Sequence, residues 1–280
     1  MKQIWLVASG SVVLLILLFF LGRTKPHPKD PVKGAPAGAS RVSGTSDILE
    51  KAKKQLKPEQ LAYLTTLENS ITRGDLVNQK IVLYEQLAAY WRDSVRAVAP
   101  YLWYQGEKAK LENSEKNLNF AAQSYLEELK SDSDPEARTW MADQAKVLFE
   151  KVMELNPDND SAKVGWGSSF IFGASGASSP MEGIMKIREV AERDTTNMYA
   201  QFMLGYGAMM TGQFDRAIER LLKVANRQPQ NTEAVFLLAE AYERAGKKTE
   251  AREWYSKGRS RVSNPELLKA IDDKINSLQQ

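Results

Sequence analysis

No cysteine occurs anywhere in this chain, and histidine occurs once, at His27. The first absence excludes disulfides, thiolate–zinc sites, a cysteine nucleophile and a lipid-modified amino-terminal cysteine, while leaving the redox compartment open. His27 stands between Pro26 and Pro28, without partners for a metal or a catalytic triad. Also missing are HExxH, GxSxG and a phosphate-binding loop: the small-residue stretch from Phe172 to Pro180 has neither the lysine nor the preceding strand that a P-loop needs, and reads as a plain loop. Paired acids at Glu127-Glu128 and Asp272-Asp273 fall on helix faces turned to water, where ion pairing is their expected role. Neither catalysis nor a cofactor, metal or small-molecule substrate is therefore expected. Nor is nucleic acid. The formal charge of +3 comes from residues 1–46, which hold six Lys/Arg against one Asp, leaving a slightly acidic body without a basic stripe.

What the chain does have begins with an uncharged stretch from Gln3 to Gly22. As a helix its apolar core, residues 4–22, would be roughly 28 Å long, about the hydrocarbon thickness of a bilayer. The run exceeds the apolar part of a cleaved signal, and no small-x-small site precedes Gly22-Arg23, so a retained single-pass anchor is expected at the cell membrane. Arg23, Lys25, Lys29 and Lys33 follow the span and only Lys2 precedes it, which favours a cytoplasmic body. A Met-Lys start before an apolar run also fits an exported, extracytoplasmic body. Residues 23–46, rich in Pro, Gly, Ser and Lys, cannot bury enough surface to order themselves and read as a flexible linker of roughly 25 to 30 Å.

Beyond the linker the chain reads as all-α. Apolar faces recur at helical spacing in Leu61, Leu64, Leu67 and Ile71, and in Ile81, Leu83, Tyr84, Leu87, Ala88 and Trp91, with breaks at Pro58 and Arg73-Gly74-Asp75. Further helices carry Leu102, Trp103, Gly106 and Ala109, then Leu118, Ala121, Ala122, Tyr125 and Leu129, before a break and cap at Ser131 to Pro135. For residues 117–156 two readings stand, one a first helix at 117–130 joined to the next by an enlarged loop, the other a single unusually long helix over 136–156; the enlarged loop is preferred. The segments are an N-terminal set of degenerate helical pairs at 47–135, regular repeats at 136–262 and a C-terminal capping helix at 263–280.

The regular repeats rest on an internal period. Residues from Asn197, Ala200, Phe202, Leu204, Gly205, Gly212, Ala217 and Leu221 recur 34 positions later as Asn231, Ala234, Phe236, Leu238, Ala239, Gly246, Ala251 and Tyr255. Asn159, Ala162, Trp166 and Gly167 precede the first set by 38, which puts an insertion of four between the helices of that earlier copy. A 34-residue period with these residues resembles the tetratricopeptide repeat (TPR), a helical hairpin that stacks into a solenoid. The pattern prefers Trp where Gln201 and Val235 stand, and Tyr where Ala208 stands.

That resemblance implies a concave face lined by first helices. Carried onto this chain, it places Ser161, Val164, Ser168 and Ile171 there, then Tyr199, Phe202, Tyr206 and Met209, then Glu233, Phe236, Glu240 and Glu243. Aromatic and methionine side chains, if exposed, suit peptides or helices, while Glu240 and Glu243 suit a cationic partner; packing against neighbouring helices is the other reading. The Lys/Asn arrangement with which chaperone-binding TPR domains hold a terminal carboxylate is absent. The expectation is a membrane-anchored TPR protein that binds protein partners as a scaffold or assembly factor. The alternatives are a chaperone-like helper at a translocation or assembly machine, and a non-catalytic subunit of an enzyme complex.

Overall fold

The computed structural model describes residues 44–73, 76–173 and 180–279. The proposed anchor at 4–22 and nearly all of the linker lie outside them. Among the described residues there is no strand, and no helix is long and apolar enough to cross a membrane. The chain falls into two compact units divided between Arg193 and Asp194.

The first unit holds α1 (Thr45–Lys53), α2 (Pro58–Arg73), α3 (Val77–Ala89), a π-helical turn (Tyr90–Val95), α4 (Val98–Glu112), α5 (Glu115–Ser131), α6 (Pro135–Leu155), α7 (Asp160–Phe172) and α8 (Pro180–Arg193). Its amino-terminal part is built on Leu64, Leu87, Ala88, Trp91 and Tyr104, so the apolar faces of α2 and α3 meet as their spacing requires. The breaks at Pro58 and near Gly74 separate α1, α2 and α3 as expected. The π-turn was not legible: it ends at Arg96 in the left-handed region (φ 61°), and Ala97 N–H donates back to the Trp91 carbonyl, 3.0 Å away.

Residues 115–155 correct the preferred loop reading. Only Asp132, Ser133 and Asp134 separate α5 from α6, and α6 runs unbroken for 21 residues. The cap explains why: the Asp134 carboxylate accepts from Glu136 N–H at 3.0 Å, and Pro135 occupies the first turn, so the helix starts at once. Tyr125 and Trp140 then meet edge to face, with centroids 5.6 Å apart. Farther on, α7 and α8 pack through glycines. A Cβ on Gly167 would lie 2.6 Å from the Gly183 carbonyl oxygen, so the two backbones are as close as they can come.

The second unit holds α9 (Met198–Met210), α10 (Phe214–Arg227), α11 (Thr232–Arg244), α12 (Lys248–Arg259) and α13 (Pro265–Ser277). Here the repeat is visible bond by bond. Each first helix opens on an asparagine whose side-chain oxygen accepts from the N–H three residues on: Asn197 from Ala200 and Asn231 from Ala234, both at 3.0 Å. Asn159 does the same for Ala162 in the first unit at 2.8 Å, and Asn264 opens α13 on Leu267 at 3.0 Å. Each first helix also closes alike. Gly212 (φ 72°) and Gly246 (φ 76°) turn the chain left-handed, and the next residue donates five back, Gln213 to Ala208 and Lys247 to Tyr242, each at 2.9 Å. That is a Schellman closure, which needs a residue tolerant of positive φ. Between helices, Gly205 faces Leu221 and Gly258 faces the Phe236 ring, with no room for a Cβ.

Candidate interaction surface

The residues assigned to the concave face divide by burial. In the first unit Val164 and Ser168 are fully buried and Ile171 nearly so; Ser168 Oγ donates to the Val164 carbonyl at 2.7 Å, inside its own helix. These three therefore present little surface to a partner. Their helix has apolar or small residues on every side, and spacing alone does not separate groove from core in such a helix.

In the second unit α9 carries no charged side chain, and Gln201, Phe202, Met203 and Leu204 are all buried. Gln201, at the position where Trp is usual, is satisfied there: its Oε1 accepts from Arg220 at 2.8 Å. Tyr199, Tyr206 and Met209 remain half-buried, and Met210 beside them is 65% exposed. They lie on a helix with no charged side chain, as an aromatic and methionine-bearing strip, while Phe202 of the same helix is buried.

On α11, Phe236 is buried, pressed between Gly258 and the Tyr255 ring (centroids 6.4 Å apart). The two glutamates one turn apart already have cations. Glu240, buried, accepts from Arg244 at 2.6 Å; Glu243 accepts from Lys274 of α13 at 2.6 Å and from the Tyr255 hydroxyl at 2.9 Å. Burial outweighs the Arg244 contact and pushes the Glu240 carboxyl up to about 7, with the neighbouring Glu243 charge adding to the rise. The cations supposed to come from a partner are thus supplied within the unit. The Glu240–Arg244 pair follows from i,i+4 spacing on α11, but no spacing rule could have shown the Glu243 partner, because Lys274 lies 31 residues farther along.

The paired acids are also placed. Asp272 is held by Arg259 at 2.5 and 2.9 Å, and Glu127 by Lys130 at 3.2 Å, at positions open to water. Burial raises the pKa of Glu128, helped by the Asp132 and Glu127 charges. Among the described residues no cluster of three His, Asp or Glu is placed to hold a metal. A second feature escaped sequence reasoning altogether: a groove of about 550 Å³ in the first unit, lined by Met153, Trp166, Met185 and five charged residues of α8 between Glu182 and Glu192. The signal was there in the Met181/Met185 stripe of α8, though a methionine stripe at helical spacing usually marks a core.

Comparison with known proteins agrees with the repeat reading where the bond pattern is most regular. Residues 202–263, from within α9 to just past α12, match the family model described as tetratricopeptide repeat. No curated protein matches. Among solved structures, MamA truncated to residue 41 onward, from Desulfovibrio magneticus RS-1, is similar at 19% identity and a TM-score of 0.46, covering 68% of this chain and 99% of that one. Another MamA crystal structure matches at 18% and 0.44, covering 65% and 92%. YrrB, titled a TPR protein with an unusual peptide-binding site, matches at 17% and 0.44, covering 74% and 97%. Over α9 to α12, the matched family model and the backbone agree on tetratricopeptide-type repeats.

Proposed function

We propose that this chain is a non-catalytic, membrane-tethered adaptor that captures a protein partner on the first-helix surface of its second unit. The observation that carries the reading is the uncharged α9 strip, where Tyr199, Tyr206 and Met209 keep exposed surface on a helix capped at Asn197 and closed at Gly212. Phe202, Phe236, Glu240 and Glu243 support that strip, and Val164, Ser168 and Ile171 play the same supporting part in the preceding copy. Residues 4–22 anchor the chain, the linker gives the body reach up to Gly44, two residues short of the expected linker end at 46 because α1 begins there, and a cytoplasmic body is the preferred side. A scaffold or assembly role follows from an anchored binding surface that lacks catalytic groups.

The test is purification from the native host, after crosslinking, through a tag placed behind Gln280. Wild type and Tyr206→Ala/Met209→Ala are compared, two changes at half-exposed positions that spare the core. One partner recovered with wild type and lost with the variant supports the adaptor. A diffuse set of clients would favour a chaperone-like helper, and identical recovery from both would remove α9 as the capturing surface.

A further inference from the structure

The groove in the first unit lies on residues that the α9 strip does not use. Its floor is apolar: Met153 from α6, Trp166 from α7 and Met185 from α8. Trp166 is held in place, its Nε1 donating to Glu150 at 2.9 Å and its ring tilted against Phe170 with centroids 4.6 Å apart. Met185 is 62% exposed and Met181, one turn earlier, 56%, an unusual outlay of flexible, polarisable side chain to water.

Charge selects the occupant. Glu182, Glu189 and Glu192 rim the groove with Lys186 and Arg188. Lys186 is taken by Glu189 at 3.1 Å, whose pKa that hydrogen bond lowers. Among the described residues no lysine or arginine lies within ion-pair distance of Glu150, Glu182 or Glu192, and Arg188 is the one rim cation outside an ion pair. An apolar floor beside surplus carboxylates disfavours phosphates, acidic peptides and anionic membranes, and favours a cation that arrives with an apolar neighbour. We infer that this groove docks a basic amphipathic segment of a partner protein, its apolar side chain seated on Met153, Trp166 and Met185 and its Lys or Arg side chains against Glu182 and Glu192. The indole face, fixed by Glu150, adds a cation–π contact for the same side chains.

The experiment uses the full chain in detergent and a fluorescein-labelled helical peptide of leucine and lysine, about four turns long, with leucines on one face. Anisotropy and Trp fluorescence are followed at low salt and at about 0.5 M salt, where exposed charge pairs are screened. The expected result is saturable binding that shifts the Trp signal, weakens several-fold in high salt, and falls about tenfold or more in Glu182→Lys/Glu192→Lys and in Met185→Ser. A matched leucine–glutamate peptide should not bind. The substituted positions lie on the exposed face of α8, so circular dichroism should be unchanged, and Tyr206→Ala/Met209→Ala should bind the peptide as wild type does. Binding within twofold of wild type in the charge-reversed variant, equal binding of the acidic peptide, or loss of binding in the α9 variant would each overturn the proposal.

Discussion

Glu240 carries the sharpest consequence at the scale of a single residue. Its carboxyl is buried and its pKa stands at about 7 instead of the ordinary 4.5. Below about 4.5 it is protonated in both folded and unfolded chains and costs nothing. Between these values the unfolded chain ionises first, so stability falls as pH rises, and the loss is complete above about 7. Glu240→Gln should flatten that decline and stabilise the protein at pH 8 by on the order of 1 to 3 kcal/mol, read as a higher melting temperature. Arg244 is largely exposed and returns to water at small cost. A melting series from pH 5 to 8 checks it, and parallel curves for the two proteins would show that Glu240 carries no burial penalty. The asparagine caps give a second residue-scale expectation. Asn231→Ala removes one acceptor from the start of α11 and should cost about 1 kcal/mol in denaturant unfolding.

For a pair of helices, the glycines decide how close the axes come. A methyl group on Gly205 would meet side chains, Leu221 at 2.8 and 2.9 Å and Arg220 Cβ at 3.4 Å, whereas one on Gly167 would meet the Gly183 carbonyl oxygen. A leucine side chain can rotate; a backbone carbonyl cannot leave without parting α7 from α8. Gly167→Ala should therefore destabilise more than Gly205→Ala, and Gly205→Leu should cost roughly 1 to 3 kcal/mol through overpacking. Thermal melts of the three variants rank them. Part of this was readable because it recurs at a fixed period: Asn197 and Asn231 announce a helix start and Gly212 and Gly246 a closure 34 residues apart, with Gly205 marking a small residue where the next copy has Ala239. The first helix pairs recur less regularly, so the π-turn after Tyr90 and the three-residue join at Asp132 to Asp134 were not. The surface was half legible. The tetratricopeptide resemblance named the faces of α7, α9 and α11, but burial depends on what packs across them, which left Tyr199, Tyr206 and Met209 half-buried and put Val164, Ser168 and Phe236 inside. The groove floored by Trp166 draws on three helices whose residues share no local pattern.

Across the whole molecule, the account is of a tethered binder whose chemistry is recognition. Loss of residues 1–22 should move the protein from the membrane pellet to the soluble fraction and, with residues 23–43 read as a linker, leave the melting curve of the body unchanged. Continued pelleting would mean that another part of the chain holds it there. The central claim, capture on α9, is tested most directly by placing a photo-crosslinking amino acid singly at Tyr199, Tyr206 and Met209 in the native host, with exposed Val82 of α3 as the control position. The account predicts one shared crosslinked partner from the three α9 positions and none from Val82. Crosslinks only from Val82, or none from α9 while the function of the chain is intact, would contradict it.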